Sequence, residues 1–217
     1  MNRLLKILFF AVIVRPITLI ALGLNIRNLS GLPRNGPAII IANHNSHLDT
    51  LVLMSLYPLS RIHKIRPVAA ADYFLKNALY RWFFLKVIGI IPLSRTGFRQ
   101  AEELFSPCYH ALDNNDILIL FPEGTRGDPE QRGRLKKGIY HLIKPRAETP
   151  LIPIIMHGLG RALPRGELLL VPFNCDVVIG DPVPPADSAE ALLEKIETIN
   201  QELLSKCLTY THVKHDK

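Results

Sequence analysis

From Pro37 onward the chain alternates short aliphatic runs with longer stretches of helical character, and that alternation restricts the fold more than any other feature of the sequence. PAIIIA over 37–42 reads as a buried strand, GIIPL over 89–93 and DILILF over 116–121 follow, and LIPIIM covers 151–156. Residues 66–70, 168–171 and 176–179 are further strand candidates. Between these runs, helices are predicted over 50–56, over the aromatic-rich stretch 72–86 and over 99–112, the last with a kink at Pro107. The clearest helix closes the chain: Ala189, Leu192, Leu193, Ile196, Ile199, Leu203 and Leu204 recur at helical spacing, with Asp187 and Glu190 placed as an N-terminal cap and its partner. Strands that alternate with helices pair in parallel beneath them. The expected fold class is therefore α/β: a mixed, mostly parallel central sheet flanked by helices. At 217 residues, one catalytic domain with a short appendage accounts for the length.

The appendage lies at the amino terminus, where the apolar excess behind a mean hydropathy of +0.16 collects. Residues 4–14 read LLKILFFAVIV, apolar on all sides except at Lys6; Arg15-Pro16 interrupts, and ITLIALGL follows over 17–24. A cleaved signal peptide needs a small-residue site that Arg15-Pro16 does not supply. A single spanning helix over 4–24 would be about 30 Å long but would put Arg15 near mid-bilayer, at about 2.5–3.5 kcal/mol. A buried core helix is a further alternative for a run of this length. The expectation is a kinked pair of short helices dipping into one leaflet, broken at Pro16, with Arg15 snorkelling to the headgroups. Arg3, Lys6, Arg15 and Arg27 add positive charge suited to anionic lipid. This divides the chain into a membrane-associating helical segment at 1–30 and a catalytic domain at 31–217, at the cytoplasmic face of the cell membrane.

A net charge of +7 calls for an acidic partner without choosing among nucleic acid, anionic headgroups and phosphorylated or CoA-like substrates. Cys108, Cys175 and Cys207 are odd in number and widely spaced, so they suggest neither a disulfide framework nor a zinc ribbon and read as buried, reduced thiols.

Chemistry collects after the strands. Directly beyond the first run come Asn43, His44, Asn45, Ser46, His47 and Asp49, where an open α/β sheet places its crevice. His44 and Asp49 are spaced so that a loop entering a helix can bring them together, the carboxylate fixing the tautomer and stabilising the imidazolium. After DILILF come Glu123, Gly124, Thr125 and Arg126, a carboxylate, a flexible residue, a hydroxyl and a guanidinium suited to a phosphorylated polyol. Glu123 can accept from a hydroxyl and Arg126 can donate to phosphate. Arg95 ends GIIPLSR in the same way, and Lys136 and Lys137 extend the basic surface.

NHNSHLD, GIIPLSR, FPEGTR and LIPIIMHG resemble, in that order, the four motif blocks of the glycerolipid acyltransferase family of lysophosphatidate type. The resemblance covers residues 43–158. It implies that His44 and Asp49 are the catalytic pair, that Arg95, Glu123, Gly124, Thr125 and Arg126 bind the acceptor's phosphate and glycerol region, and that Pro153 shapes the acyl-donor side. It further implies transfer of a fatty acyl group from acyl-CoA or acyl carrier protein to the free hydroxyl of lysophosphatidate or a related lyso-lipid. The donor is a substrate, and no cofactor, metal or nucleic acid is called for; membrane lipids are the remaining partner. Gly127 stands where the family often has serine, and Met156 and His157 stand where proline and valine are usual, departures that bear on the acceptor's identity.

Two readings of other kinds compete. His44, His47 and Asp49 are a ligand set for a metal-dependent hydrolase, and the apolar terminus with the basic surface suits a non-catalytic lipid-binding protein. Tyr73, Phe74, Tyr80, Trp82, Phe83 and Phe84 line an acyl tunnel, face the bilayer interface or fill the core.

Overall fold

The computed structural model describes residues 3–18, 22–46, 48–74, 77–94, 101–125, 133–162 and 173–210. Their strands are β1 (Leu22–Arg27), β2 (Ala38–Ala42), β3 (Ile65–Ala70), β4 (Ile91–Leu93), β5 (Ile117–Leu120), β6 (Leu151–His157) and β7 (Phe173–Ile179). They form one sheet in the order β1-β7-β6-β2-β5-β3-β4. The block from β6 to β4 is parallel throughout. Antiparallel pairing of β6 with β7 reverses the direction, and β1 runs parallel to β7 at the edge, so the sheet is mixed as expected.

The helices are α1 (Arg3–Phe9), α2 (Asp49–Ser55), α3 (Ala71–Phe74), α4 (Ala78–Trp82), α5 (Ala101–Asp113), α6 (Gly138–Ile143), α7 (Leu159–Ala162) and α8 (Ala189–Ser205). Strand alternation divides the core into two layers. Ile40, Ile65, Ile119 and Ile154 face Phe10, Val14, Val52, Leu53 and Met54 of the amino-terminal helix and α2. Ile39, Ile41, Leu118 and Leu151 face Phe105, Cys108 and Leu112 of α5, Leu142 of α6 and Leu192 and Ile196 of α8. A sheet with apolar residues on both faces requires such double cover, and it leaves the carboxyl ends of the parallel strands as the open edge. All three cysteines are free and buried.

The amino terminus departs from the expected kinked pair. Residues 3–18 are helical throughout, passing through the π-helical stretch Phe10–Val14, and Arg15 keeps helical angles (φ −62°, ψ −45°) in front of Pro16. The wider π turn, in which the Arg15 amide bonds the Phe10 carbonyl, absorbs the proline that was expected to break the helix. The expected second short helix is in part β1, which pairs with β7 from Leu22↔Phe173 to Arg27↔Val178. The segment at 1–30 thus divides between a helix laid on the domain and a strand within its sheet. Lys6 and Arg15 do not reach out for headgroups: Lys6 is fully buried and donates to the Ile65 carbonyl at 2.9 Å, and Arg15 donates to the Tyr57 carbonyl at 3.1 Å. Among the described residues no helix is long and apolar enough to cross a membrane.

Elsewhere the corrections are local. The single helix over 72–86 is instead α3, α4 and the π-helical stretch Phe83–Ile88. Ser188, not Asp187, caps α8 by accepting from the Ala191 amide at 3.1 Å, because its extended backbone (φ −137°, ψ 161°) turns the hydroxyl onto the first turn. The strand candidate at 168–171 lies outside the described residues.

Candidate active site

β2 and β5 are neighbours, with Ile41 opposite Leu120. Continuing that register past the strand ends sets His44 beside Glu123, so the two motif loops meet by topology alone. Glu123 accepts the His44 backbone N–H at 3.3 Å with one carboxylate oxygen and the Gly133 N–H at 3.0 Å with the other. On the far side of β2, Asn43 donates to the Met156 carbonyl at 2.7 Å and accepts from the Met156 amide at 2.8 Å, tying the loop to the end of β6. The residue carrying the imidazole is thereby clamped on both flanks.

His44 Nδ1 lies 2.9 Å from Asp49 Oδ2. Asp49 is the first residue of α2 and is 1% exposed; the same Oδ2 accepts the amides of Asn45 at 2.7 Å and Ser46 at 2.8 Å. An acidic residue in the first helical turn is favoured by the orphan amides and the dipole there. With a carboxylate as acceptor, Nδ1 carries the proton and Nε2 is left as the basic nitrogen. The His44 side chain is 20% exposed, so its inner edge is held while the other reaches the crevice. Its face stacks on Phe121, ring centroids 4.1 Å apart and planes 20° from parallel.

Burial pushes the Glu123 carboxyl above the usual range, opposed by the Gly133 and His44 amides. The residue is 3% exposed. Expected to accept from an acceptor hydroxyl, it already accepts one backbone N–H on each carboxylate oxygen, beside the histidine loop. A side chain at Gly133 would stand 2.6 Å from its Oε2, so the close approach of that loop requires glycine.

The other expected site residues divide. Gly124 (φ +73°) and Thr125 are exposed in the turn beyond β5, next to Lys136, whose amide donates to the Pro122 carbonyl at 2.9 Å. Pro153 is not at the open edge: it is buried in mid-strand, opposite Ile41, with its ring against Gly180 and its carbonyl accepting the Gly180 amide at 2.8 Å. Arg95, Arg126 and His47 lie outside the described residues, although β4 and β5, which lead towards the two arginines, run parallel to β2. Among the described residues no group of three His, Cys, Asp or Glu side chains converges as metal ligands would. Phe83 and Phe84 pack against the core while Tyr80 and Trp82 are exposed. Sequence reasoning named Asn43 and Phe121 only as members of the motif clusters, not as the clamp and the stacking partner of His44, and it missed Gly133, which no motif marks.

Fold and site together define an α/β protein with a carboxylate-braced histidine at the carboxyl edge of its sheet, an arrangement with the geometry to accept a proton. A family model described as Acyltransferase matches residues 23–157, and the chain belongs to that family. It is 28% identical over 162 residues to the chloroplastic 1-acyl-sn-glycerol-3-phosphate acyltransferase of Arabidopsis thaliana, covering 74% of this chain and 43% of the relative. It is 26% identical over 183 residues to the human 1-acyl-sn-glycerol-3-phosphate acyltransferase alpha, covering 82% of this chain and 62% of that one. The chain thus spans roughly two-fifths to three-fifths of the length of these relatives. The solved 1-acyl-sn-glycerophosphate (LPA) acyltransferase, PlsC, of Thermotoga maritima matches with a TM-score of 0.70 over 96% of this chain and 81% of that one; at 18% identity the likeness establishes the fold.

Proposed function

We propose that this protein transfers a fatty acyl group from the thioester of acyl-CoA or acyl carrier protein to the free hydroxyl of lysophosphatidate or a related lyso-lipid. The observation that carries the reading is the His44 to Asp49 contact at 2.9 Å on the open edge of an acyltransferase fold. His44 Nε2 takes the proton of the acceptor hydroxyl as that oxygen attacks the thioester carbonyl, and the imidazolium returns a proton to the departing thiolate. Asp49 holds the tautomer and stabilises the imidazolium. The amides of Asn45 and Ser46 are spent on Asp49, so a donor elsewhere serves the oxyanion. Arg95 and Arg126 grip the acceptor's phosphate, Gly124 and Thr125 shape the turn beside it, and Glu123 holds the histidine loop.

The acceptor is a membrane lipid, and the outer surface suits that source. Leu4, Leu8, Val12, Ile13 and Ile17 are exposed on the amino-terminal helix, and Leu79, Tyr80 and Trp82 on α4 are exposed near it, the two regions joined by the Phe9–Phe83 edge contact at 5.2 Å. Such a face lies in one leaflet of the cytoplasmic membrane surface without crossing it.

The test is to incubate purified protein with lysophosphatidate and each donor and to read products by mass. Wild-type protein is expected to form phosphatidate, and His44→Ala to lose about a thousandfold or more of that rate while folding and binding vesicles normally. Undiminished acyl transfer by the folded variant would sink the assignment.

A further inference from the structure

The cationic side chain nearest to the FPEGT turn among the described residues is unaccounted for by the motif reading. We propose that Lys136 is a further acceptor-binding residue, its ammonium held over Gly124 to meet the acceptor's phosphate; this rests on the acyl transfer proposed above.

Three observations point to it. The Lys136 main chain is pinned to the turn through its amide and the Pro122 carbonyl at 2.9 Å. Its side chain runs lengthwise across Gly124: a Cβ built there would stand 2.9 Å from Nζ, 3.1 Å from Cδ and 3.3 Å from Cε. The Lys136 ammonium also makes no ion pair or hydrogen bond among the described residues, whereas Lys137 pairs with Glu190, Lys64 with Asp116 and Lys206 with Glu202. A point charge with no anionic partner among the described residues, lying over the residue next to the glutamate that holds His44, is complementary to a phosphate dianion arriving at that edge. Gly124 acquires a physical reason beyond flexibility. Its positive φ shapes the turn, and its missing side chain is the channel in which the lysine stem lies.

The experiment separates phosphate recognition from structure. Binding of lysophosphatidate and of phosphate-free monoacylglycerol, each in uncharged detergent micelles, is measured on His44→Ala protein with and without Lys136→Gln. Lysophosphatidate is expected to weaken about tenfold and monoacylglycerol to stay within about twofold. In otherwise wild-type enzyme, Lys136→Gln raises the KM for lysophosphatidate with kcat held, and Lys136→Arg recovers most of the loss. Equal lysophosphatidate binding with and without the substitution overturns the inference, as does an equal loss for both ligands. Failure of lysophosphatidate to bind the protein that retains Lys136 instead overturns the acceptor reading itself.

Discussion

Asp49 is the residue on which the site turns, because one buried carboxylate oxygen serves the imidazole and two backbone amides at once. Asp49→Asn replaces the fixed acceptor with a group that can present N–H to Nδ1 and favour the wrong tautomer. The expected outcome is a fall in kcat of about a thousandfold to ten-thousandfold, with far-ultraviolet circular dichroism unchanged; a fall below tenfold would remove Asp49 from the mechanism. Glu123→Gln tests the second carboxylate. An amide can accept one of the two backbone N–H groups but turns its own N–H toward the other, which is expected to cost about 1–3 kcal/mol in denaturant unfolding and to lower kcat through the loosened His44 loop. If kcat holds and only the KM for lysophosphatidate rises, Glu123 contacts the acceptor after all.

At the scale of elements, the amino-terminal helix is sided in an unusual way. Lys6, Phe10 and Val14 recur on the buried face, while Leu4, Leu8 and Val12 recur on the exposed one. Burial, with Arg66 adding to it and Asp116 opposing, lowers the Lys6 pKa from 10.5 to about 7. The unfolded chain therefore holds a proton that the folded chain has lost between those two values. Stability is expected to rise with pH across that window and to be lowest below it, by an amount on the order of a few kcal/mol. Lys6→Met should flatten the rise in denaturant unfolding measured from pH 7 to pH 10; parallel curves for the two proteins would show that the helix carries an ordinary lysine.

The whole molecule presents an apolar face on which the only tryptophan, Trp82, is exposed. Its emission is expected to shift to the blue when vesicles containing anionic lipid are added, and Leu8→Asp with Val12→Asp to weaken vesicle flotation about tenfold or more. The melting temperature should stay nearly unchanged, because both side chains already face solvent. Flotation that survives the double substitution would place the membrane contact elsewhere.

Alternating apolar runs foretold six of the seven described strands, all but β1, together with the parallel block and α8, since strands covered on both faces carry their burial in their own composition. The His44 to Asp49 pair was equally legible, being a short-range contact within one loop and helix start. What composition could not reveal was decided by pairing across the fold: Leu22–Arg27 became a strand because β7 offered an edge, and Lys6 turned inward because the Ile65 carbonyl awaited it. Glu123 came to hold the histidine loop, Pro153 to lie opposite Ile41 with its carbonyl on the Gly180 amide, and Lys136 to cross Gly124 for the same reason. Local pattern specifies which face of an element is apolar, but the partner of a polar atom depends on which strands lie side by side, and only the assembled sheet settles that.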